Sequence, residues 1–486
     1  MKKLEEKLRK TLAIAEKNKI DKSDIYEIFY FLIEEVSNYT DLITLSSLEI
    51  SFSTELKIDA LLKRVVAGEP VQYVVGRASF MGRYFKVTKD VLIPRMESEE
   101  VVLKAIAEIK RKYSDYTRPI RVLDLGCGTG ILGLTIAEEL KGIIDIDLRL
   151  LDVSEKAIDV AQTNAIALNI DSNFLIADMI GYLVCCNREN DFDVIISNPP
   201  YISKIEQVDP KVLKYEPHLA LLVDPGTYYY DKILETCWES LNENALIIFE
   251  TNYDQHDEIL MLTKKYFPYS TISTDKDLSG KPRIIAIDVD NTIGKTARML
   301  LNDKIVAIPS ETIYGLCCVA SEQNFNRLCT MKKRHHDRPF SILMSGIDMI
   351  YNYVDLSPKE DAFLRQILPG PVTVILKAKE GTEKHLLNSD GTIGIRVSDH
   401  DVIRDIFYKL NKPCLFTSVN FEGEPIINDA NTIAEVFGND LGYIISRDNT
   451  TNTTKPSTII KVDKELKLIR EGNVSFDELN RLWNKS

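Results

Sequence analysis

Two stretches of the sequence combine residue types that suit chemistry. The first is Ser197-Asn198-Pro199-Pro200-Tyr201, set directly after the apolar run 192–196. Neither proline has an N–H, so a central strand cannot run through them, and Asn198 must stand at the strand's carboxyl edge. A planar nitrogen, in an amide or an aromatic amine, has a delocalised lone pair, so a catalyst that transfers a group to it must grip both N–H bonds. The Asn198 side-chain oxygen and the Pro199 carbonyl are acceptors of the right kind, and Tyr201 can stack on the flat group. Methyl transfer to nitrogen fits this set; a turn that merely ends a strand is the plain alternative. The second stretch is the cationic cluster Lys332-Lys333-Arg334-His335-His336-Asp337-Arg338-Pro339. It suits a polyphosphate, with Arg334 binding two oxygens as a fork and Lys332 acting as a point charge; a solvated charged loop is its plain alternative. The histidine pair has no second cluster at metal-ligand spacing, and no resident metal is expected.

The first stretch needs a parallel sheet. From Pro119 the chain alternates strand, loop and helix, which implies an α/β sheet covered on both faces. The run 121–125 enters Gly126-Cys127-Gly128-Thr129-Gly130 and then a helix over 131–140. Glycines let the backbone approach a ligand there, and the helix N-terminus favours a negative group such as an amino-acid carboxylate. Asp152 ends the next strand, placed to accept from a ribose diol, and Asp178 follows the run 174–177, within reach of an adenine amine. Glycine loop, Asp152, Asp178 and Asn198 thus fall at successive strand ends, the edge where open α/β sheets bind ligands. A helix over 228–241, a strand over 245–250, a helix over 256–266 and a terminal hairpin turning at Asp277-Leu278-Ser279-Gly280 complete seven strands. Upstream, residues 1 to about 66 carry apolar side chains at helical spacing (Ile25, Ile28, Phe29, Leu32, Ile33), a docking platform or a packing cap. Gly68 to Gly76 mixes turn residues and β-formers, and a hairpin is expected from Phe80 through Tyr84 and Val87 to Leu92.

After residue 290 the patterning changes. An amphipathic helix over 291–301 and a strand over 304–308 lead to Ser310-Glu311-Thr312, and the cationic cluster follows.

The whole chain has 486 residues, 44% of them apolar, enough for several cores. Its net charge of −13 argues against stable nucleic-acid binding through a broadly basic surface. No apolar run reaches the length of a membrane span and no signal core opens the chain, so a cytoplasmic protein without membrane attachment is expected. Eight cysteines show no Cys-x-x-Cys pair and read as reduced thiols.

Residues 1 to about 288 resemble the class I methyltransferases that modify the glutamine of peptide-chain release factors. The matching pieces are Gly68-Glu69-Pro70-Val71-Gln72-Tyr73, Ile93-Pro94-Arg95, Asp124-Leu125-Gly126-Cys127-Gly128-Thr129-Gly130, Asn198-Pro199-Pro200-Tyr201 and Asp277-Leu278-Ser279-Gly280. The resemblance implies a doubly wound seven-stranded sheet, S-adenosylmethionine as donor and a release-factor Gly-Gly-Gln loop as substrate. Asp124, Gly126, Gly128, Gly130, Asp152, Asp178 and Asn198 would face the cofactor; Asn198, Pro199 and Tyr201 would be catalytic. Met96 and Thr251-Asn252 depart from the family's pattern. About 295–486 resembles the YrdC-like threonylcarbamoyl-AMP synthases through Ser310 to Leu316, Lys332 to Pro339, Leu368 to Thr373, Thr392 to Val397, Thr417 to Asn420, Pro456 to Ile460 and Arg470-Glu471-Gly472. This implies condensation of L-threonine, bicarbonate and ATP with Mg²⁺, supplying a downstream tRNA threonylcarbamoyl-transfer machinery. Lys332, Arg334, Arg338, Asn420, Ser457 and Arg470 would hold ATP, and Thr312, Arg396 and Ser418 would hold threonine. Ser310, Val419 and Ser398 depart from the usual residues. The expected domains are a helical domain over 1–75, a methyltransferase domain over 76–290 and a YrdC-like α/β domain over 291–486. The competing reading is an adenine-specific nucleic-acid methyltransferase fused to a non-catalytic RNA-binding module.

Overall fold

The computed structural model describes residues 2–36, 49–185, 192–446 and 455–486. The chain forms two compact units, Met1–Asn291 and Thr292–Ser486. In the first, the helices Leu4–Lys17, Lys22–Val36 and Phe52–Val66 bury the side chains that recur at helical spacing, Ile25, Ile28, Phe29, Ile58 and Leu62. Ser51 starts the third helix by accepting from the Thr54 N–H. The β-formers Val71–Val75 fold as a short helix, closed by Gly76 at φ +78°. Local content thus yields to burial, since Val71, Val74 and Val75 pack into the helical core. The hairpin that follows is shorter than expected, Arg77–Phe80 with Arg83–Lys86. Met81 (φ 44°) and Gly82 (φ 73°) turn it, both left-handed as a tight two-residue turn demands.

The central sheet comprises β1 (Ile120–Leu125), β2 (Ile146–Asp152), β3 (Ser172–Ile176), β4 (Phe192–Ser197), β5 (Leu241–Glu250), β6 (Thr271–Lys276) and β7 (Pro282–Asp288), in the order β6-β7-β5-β4-β1-β2-β3. β7 alone runs against the direction of the other strands of this sheet. Strand order reverses between β1 and β4, which creates the crevice where such sheets take ligands. Every residue of β4 is buried; truncating Ile196 to alanine would cost about 2–5 kcal/mol. The helix expected over 228–241 stops at Thr236 and passes through a tighter turn, Cys237–Ser240, because β5 begins already at Leu241, which pairs with Phe192.

The second unit opens on the helix Thr292–Leu301. Among the described residues its strands are β8 (Val306–Ile308), β9 (Gly315–Val319), β10 (Ser341–Leu343), β11 (Val372–Lys377), β12 (Thr392–Arg396), β13 (Cys414–Ser418), β14 (Tyr443–Ile444), β15 (Thr458–Val462) and β16 (Leu466–Arg470). They form one mixed sheet, β14-β8-β9-β13-β10-β12-β11-β15-β16. Tyr314, Phe363, Val374, Ile395 and Leu415 build its core. None of the helices among the described residues is long and apolar enough to cross a membrane. All seven cysteines among the described residues are free thiols; Cys186 lies outside them.

Candidate functional site

The carboxyl ends of β1 to β4 converge on one cavity, whose lining includes Gly126, Gly128, Asp152, Asp178, Asn198 and Tyr229. Gly128 stands at φ +53°, and a Cβ there would meet nothing within 4 Å. Conformation rather than crowding requires that glycine, and the loop faces open space. Gly130, at φ +76°, is required by conformation too and is also crowded: a Cβ would lie 2.9 Å from the Leu134 side chain and 3.3 Å from Ala161 Cβ. Asp152 accepts from the N–H groups of Gly128 and Ser154, each at 2.9 Å. Burial nevertheless pushes its carboxyl up, against the lowering effect of those bonds. Asp178 is exposed and accepts from the Gly181 N–H at 2.7 Å.

Asp124 is 1% exposed and is not part of the lining. Its Oδ2 accepts from the Gly133 N–H at 2.9 Å, and its Oδ1 is buried without a partner among the described residues. Burial foremost, with a smaller push from Asp152, raises its pKa to about 7, the Gly133 N–H opposing. Asp124 therefore sits beneath the loop. Pro199 is buried and Tyr201 half-buried, and neither lines the cavity. The Tyr201 carbonyl accepts from Gln255 Nε2 at 2.8 Å, and burial raises its phenol pKa, helped by Glu250. Sequence reasoning assigned no role to Glu250, which follows Phe249 at the end of β5 and accepts from Ser98 Oγ at 2.6 Å. The signal was present, since a carboxylate ends an apolar strand there as at Asp152. This donor and acceptor set fits S-adenosylmethionine: acids at two strand ends for hydroxyl and amine donors, and a glycine turn at a helix start for a carboxylate.

In the second unit a cavity of about 530 Å³ gathers Thr312, Arg334, Arg338, Arg396, Ser418, Ser457 and Arg470. Residues two apart on three strands of one sheet form its floor: Thr373 and Ile375 on β11, Gly394 and Arg396 on β12, Phe416 and Ser418 on β13. Thr373, Phe416 and the loop pair Asn388-Ser389 had no assigned role in the sequence; strand alternation alone marks the first two. Arg396 donates to Glu311 Oε1 at 2.6 Å and to Thr312 Oγ1 at 2.9 Å. Ser398 donates a short bond to Glu311 Oε2. Arg334 stacks over Phe340, 4.7 Å from the ring centroid, and donates to the Pro339 carbonyl at 3.2 Å. Burial lowers the pKa of both Arg334 and Arg470. The Nε atoms of Arg334 and Arg396 are buried and lack a hydrogen-bond partner among the described residues. Two orphaned guanidinium donors beside one cavity fit an anionic ligand.

Lys332 and Asn420 are not in that lining. Lys332 is 2% exposed, and its Nζ donates to the carbonyls of Ser418 (2.5 Å) and Asn420 (2.7 Å) and to Asn420 Oδ1 (3.0 Å). Three acceptors meet its three N–H bonds. Burial, with Arg334 nearby, lowers its pKa to about 8.

Two family models match the sequence. One, described as methyltransferase small domain, covers residues 111–214; the other, the Sua5/YciO/YrdC model described as telomere recombination, covers 298–472. The release factor glutamine methyltransferase of Flavobacterium psychrophilum is 31% identical over 274 residues, 55% of this chain and 93% of that protein. That of Staphylococcus aureus is 34% identical over 234 residues, 48% and 80% of the two chains. Among solved structures, P. abyssi Sua5 complexed with L-threonine aligns with a TM-score of 0.37 and 25% identity, covering 39% of this chain and 56% of that one.

Proposed function

The chain belongs to the release factor glutamine methyltransferase family and also carries a Sua5/YciO/YrdC domain, and from that premise we propose a two-site enzyme serving translation. The first site methylates N5 of the Gly-Gly-Gln glutamine in a peptide-chain release factor. The observation that carries this reading is Asn198 at the β4 end, lining the same cavity as Asp152 and Asp178. S-adenosylmethionine, when bound, supplies an electrophilic methyl group. Asp152 and Asp178 hold the nucleoside, and the turn at Gly126 and Gly128 receives the amino-acid end. The Asn198 oxygen and the Pro199 carbonyl grip the substrate N–H bonds and stabilise the positive charge that grows on nitrogen as it is alkylated. Transfer of a labelled methyl group to a release factor tests the reading; label on duplex DNA and none on protein overturns it.

The second site condenses L-threonine, bicarbonate and ATP into threonylcarbamoyl-adenylate with release of pyrophosphate. Arg334, Arg338 and Arg470 would hold the polyphosphate, whose charge Mg²⁺ brought with the nucleotide would help neutralise, and Ser457 lines the nucleotide side. Arg396 takes the threonine carboxylate beside Thr312 and Ser418. The orphaned Nε atoms of Arg334 and Arg396 support this assignment. Threonine-dependent pyrophosphate release tests it, and a folded chain without that signal favours a binding module.

A further inference from the structure

We propose that Glu216 is a positioning residue that latches two walls of the first cavity together, with the Ile93-Pro94-Arg95 segment as its receiver. This rests on the reading of that cavity as the S-adenosylmethionine site. The two walls are far apart in sequence: one is Asp90, Val91 and Leu92, the other Pro217, Leu219 and Ala220. Each adjoins a latch partner, since Ile93 comes directly after Leu92 and Glu216 directly before Pro217. Glu216 Oε2 accepts from the Ile93 N–H at 3.1 Å, and its Oε1 accepts from Arg95 Nη2 at 2.6 Å. Both carboxylate oxygens thus meet one tripeptide, whose middle proline stiffens the link between the two donors.

Glu216 is 4% exposed and is not in the cavity lining, so its carboxylate acts on the walls and not on a ligand. A carboxylate buried to that degree is tolerable only with its partners in place, which makes the pairing specific. The second wall belongs to a loop that is closed at its base. There the Ile202 N–H donates to the Leu221 carbonyl and the Val223 N–H to the Ile202 carbonyl, each at 3.0 Å, and the Gly226 N–H donates to Ser203 Oγ at 2.9 Å. Between that base and Glu216 the wall carries Leu219, 61% exposed. The first wall is fixed from the helical side: Tyr73 Oη donates to the Val91 carbonyl at 2.5 Å, and Tyr73, Val91 and Ile93 share one buried cluster against which Tyr215 packs. Tyr215 Oη in turn donates to the Ala67 carbonyl at 3.1 Å. The segments Gly68 to Tyr73 and Ile93 to Arg95 therefore converge on Glu216 and Tyr215, although neither segment lines the cavity. The latch fixes the spacing of the walls before a ligand arrives, and such preorganisation appears in affinity. Asn198 stands on the end of β4, outside the latch, so the methyl-transfer step itself does not depend on it.

The test is a double-mutant cycle on the full chain, read by calorimetry of S-adenosylmethionine binding and by steady-state methyl transfer to a release factor. Glu216→Gln keeps an oxygen for the Ile93 N–H and removes the charge that Arg95 meets. It should weaken donor binding about tenfold, the order of one charge-assisted hydrogen bond, while kcat at saturating donor and the release-factor KM stay within about twofold of native. Arg95→Met should weaken donor binding by a similar factor, and adding Glu216→Gln to it should cost less than about twofold more, because partners in one contact are not additive. Melting temperatures are read alongside: a pair that served only the fold would lower them and leave donor affinity, measured well below the transition, at its native value. The Arg95 side chain is 37% exposed, so Arg95→Met keeps the test open should Glu216→Gln fail to fold. Native donor affinity in a folded variant, losses that add in full, or a loss that falls on the release-factor KM instead overturns the proposal and leaves the methyltransferase reading intact. A native chain that binds no S-adenosylmethionine overturns both.

Discussion

The two cavities differ in charge and in how the fold builds them. The first stands at the carboxyl ends of parallel strands and presents carboxylates, Asp152 and Asp178, with the neutral amide of Asn198. The second lies over a sheet face and presents four guanidinium groups, Arg334, Arg338, Arg396 and Arg470. Strand ends supply one residue each, so such a site selects by the identity of a few tips; a sheet face supplies alternate residues and builds a broad field. The difference suits the ligands proposed for each: a donor whose reacting centre is cationic, and a polyphosphate with a carboxylate.

The largest effect that would sharpen this contrast is at Asn198. Asn198→Ala should slow methyl transfer by roughly 10²–10³-fold while calorimetric donor affinity barely changes and pyrophosphate release continues. A large loss of donor binding would instead move Asn198 into the cofactor contacts. In the second cavity the comparison is between two cations of one motif. Arg334→Ala should weaken ATP binding by roughly ten- to a hundredfold, the worth of a charge-assisted contact, without lowering the melting temperature. Lys332→Ala should do the reverse first, because it strips buried acceptors at Ser418 and Asn420 of their donor, at about 1–3 kcal/mol for each left unsatisfied. Equal melting temperatures for the two variants would contradict the clamp role of Lys332.

Much of this was legible in the sequence, for reasons specific to each residue. Pro199 and Pro200 end a strand wherever they occur, so Asn198 had to stand at an edge; the glycine turn and the acids after apolar runs located the other tips. What the sequence concealed were second partners. Nothing in the run 329–334 says that the Lys332 amine turns inward to carbonyls while Arg334 faces the cavity. Asp124 shares a motif with Gly126, yet alternation along β1 buries it under the loop. Val71–Val75 carries β-formers that the neighbouring helical core recruits into a helix.

Asp124 supplies the smallest effect. Its pKa of about 7 lies above an unfolded carboxyl's value of about 3.9. The folded state thus binds more protons between those values, so its contribution to stability is full below about pH 4 and is lost as pH rises through about 7. Asp124→Asn keeps the acceptor for the Gly133 N–H and should flatten the decline in melting temperature over that window by a few degrees. An unchanged slope would place the titration elsewhere.

The most direct test of two separate sites in one chain is mass spectrometry of the purified native and Arg334→Ala proteins, each given both substrate sets. The native chain should place one methyl group on the release-factor glutamine and also form threonylcarbamoyl-adenylate. Arg334→Ala should lose the adenylate and methylate within about twofold of native, well under the roughly 5–150-fold of coupled sites. A slowed methyl transfer in an Arg334→Ala chain that remains folded by circular dichroism would contradict the account and make the fusion a regulatory device.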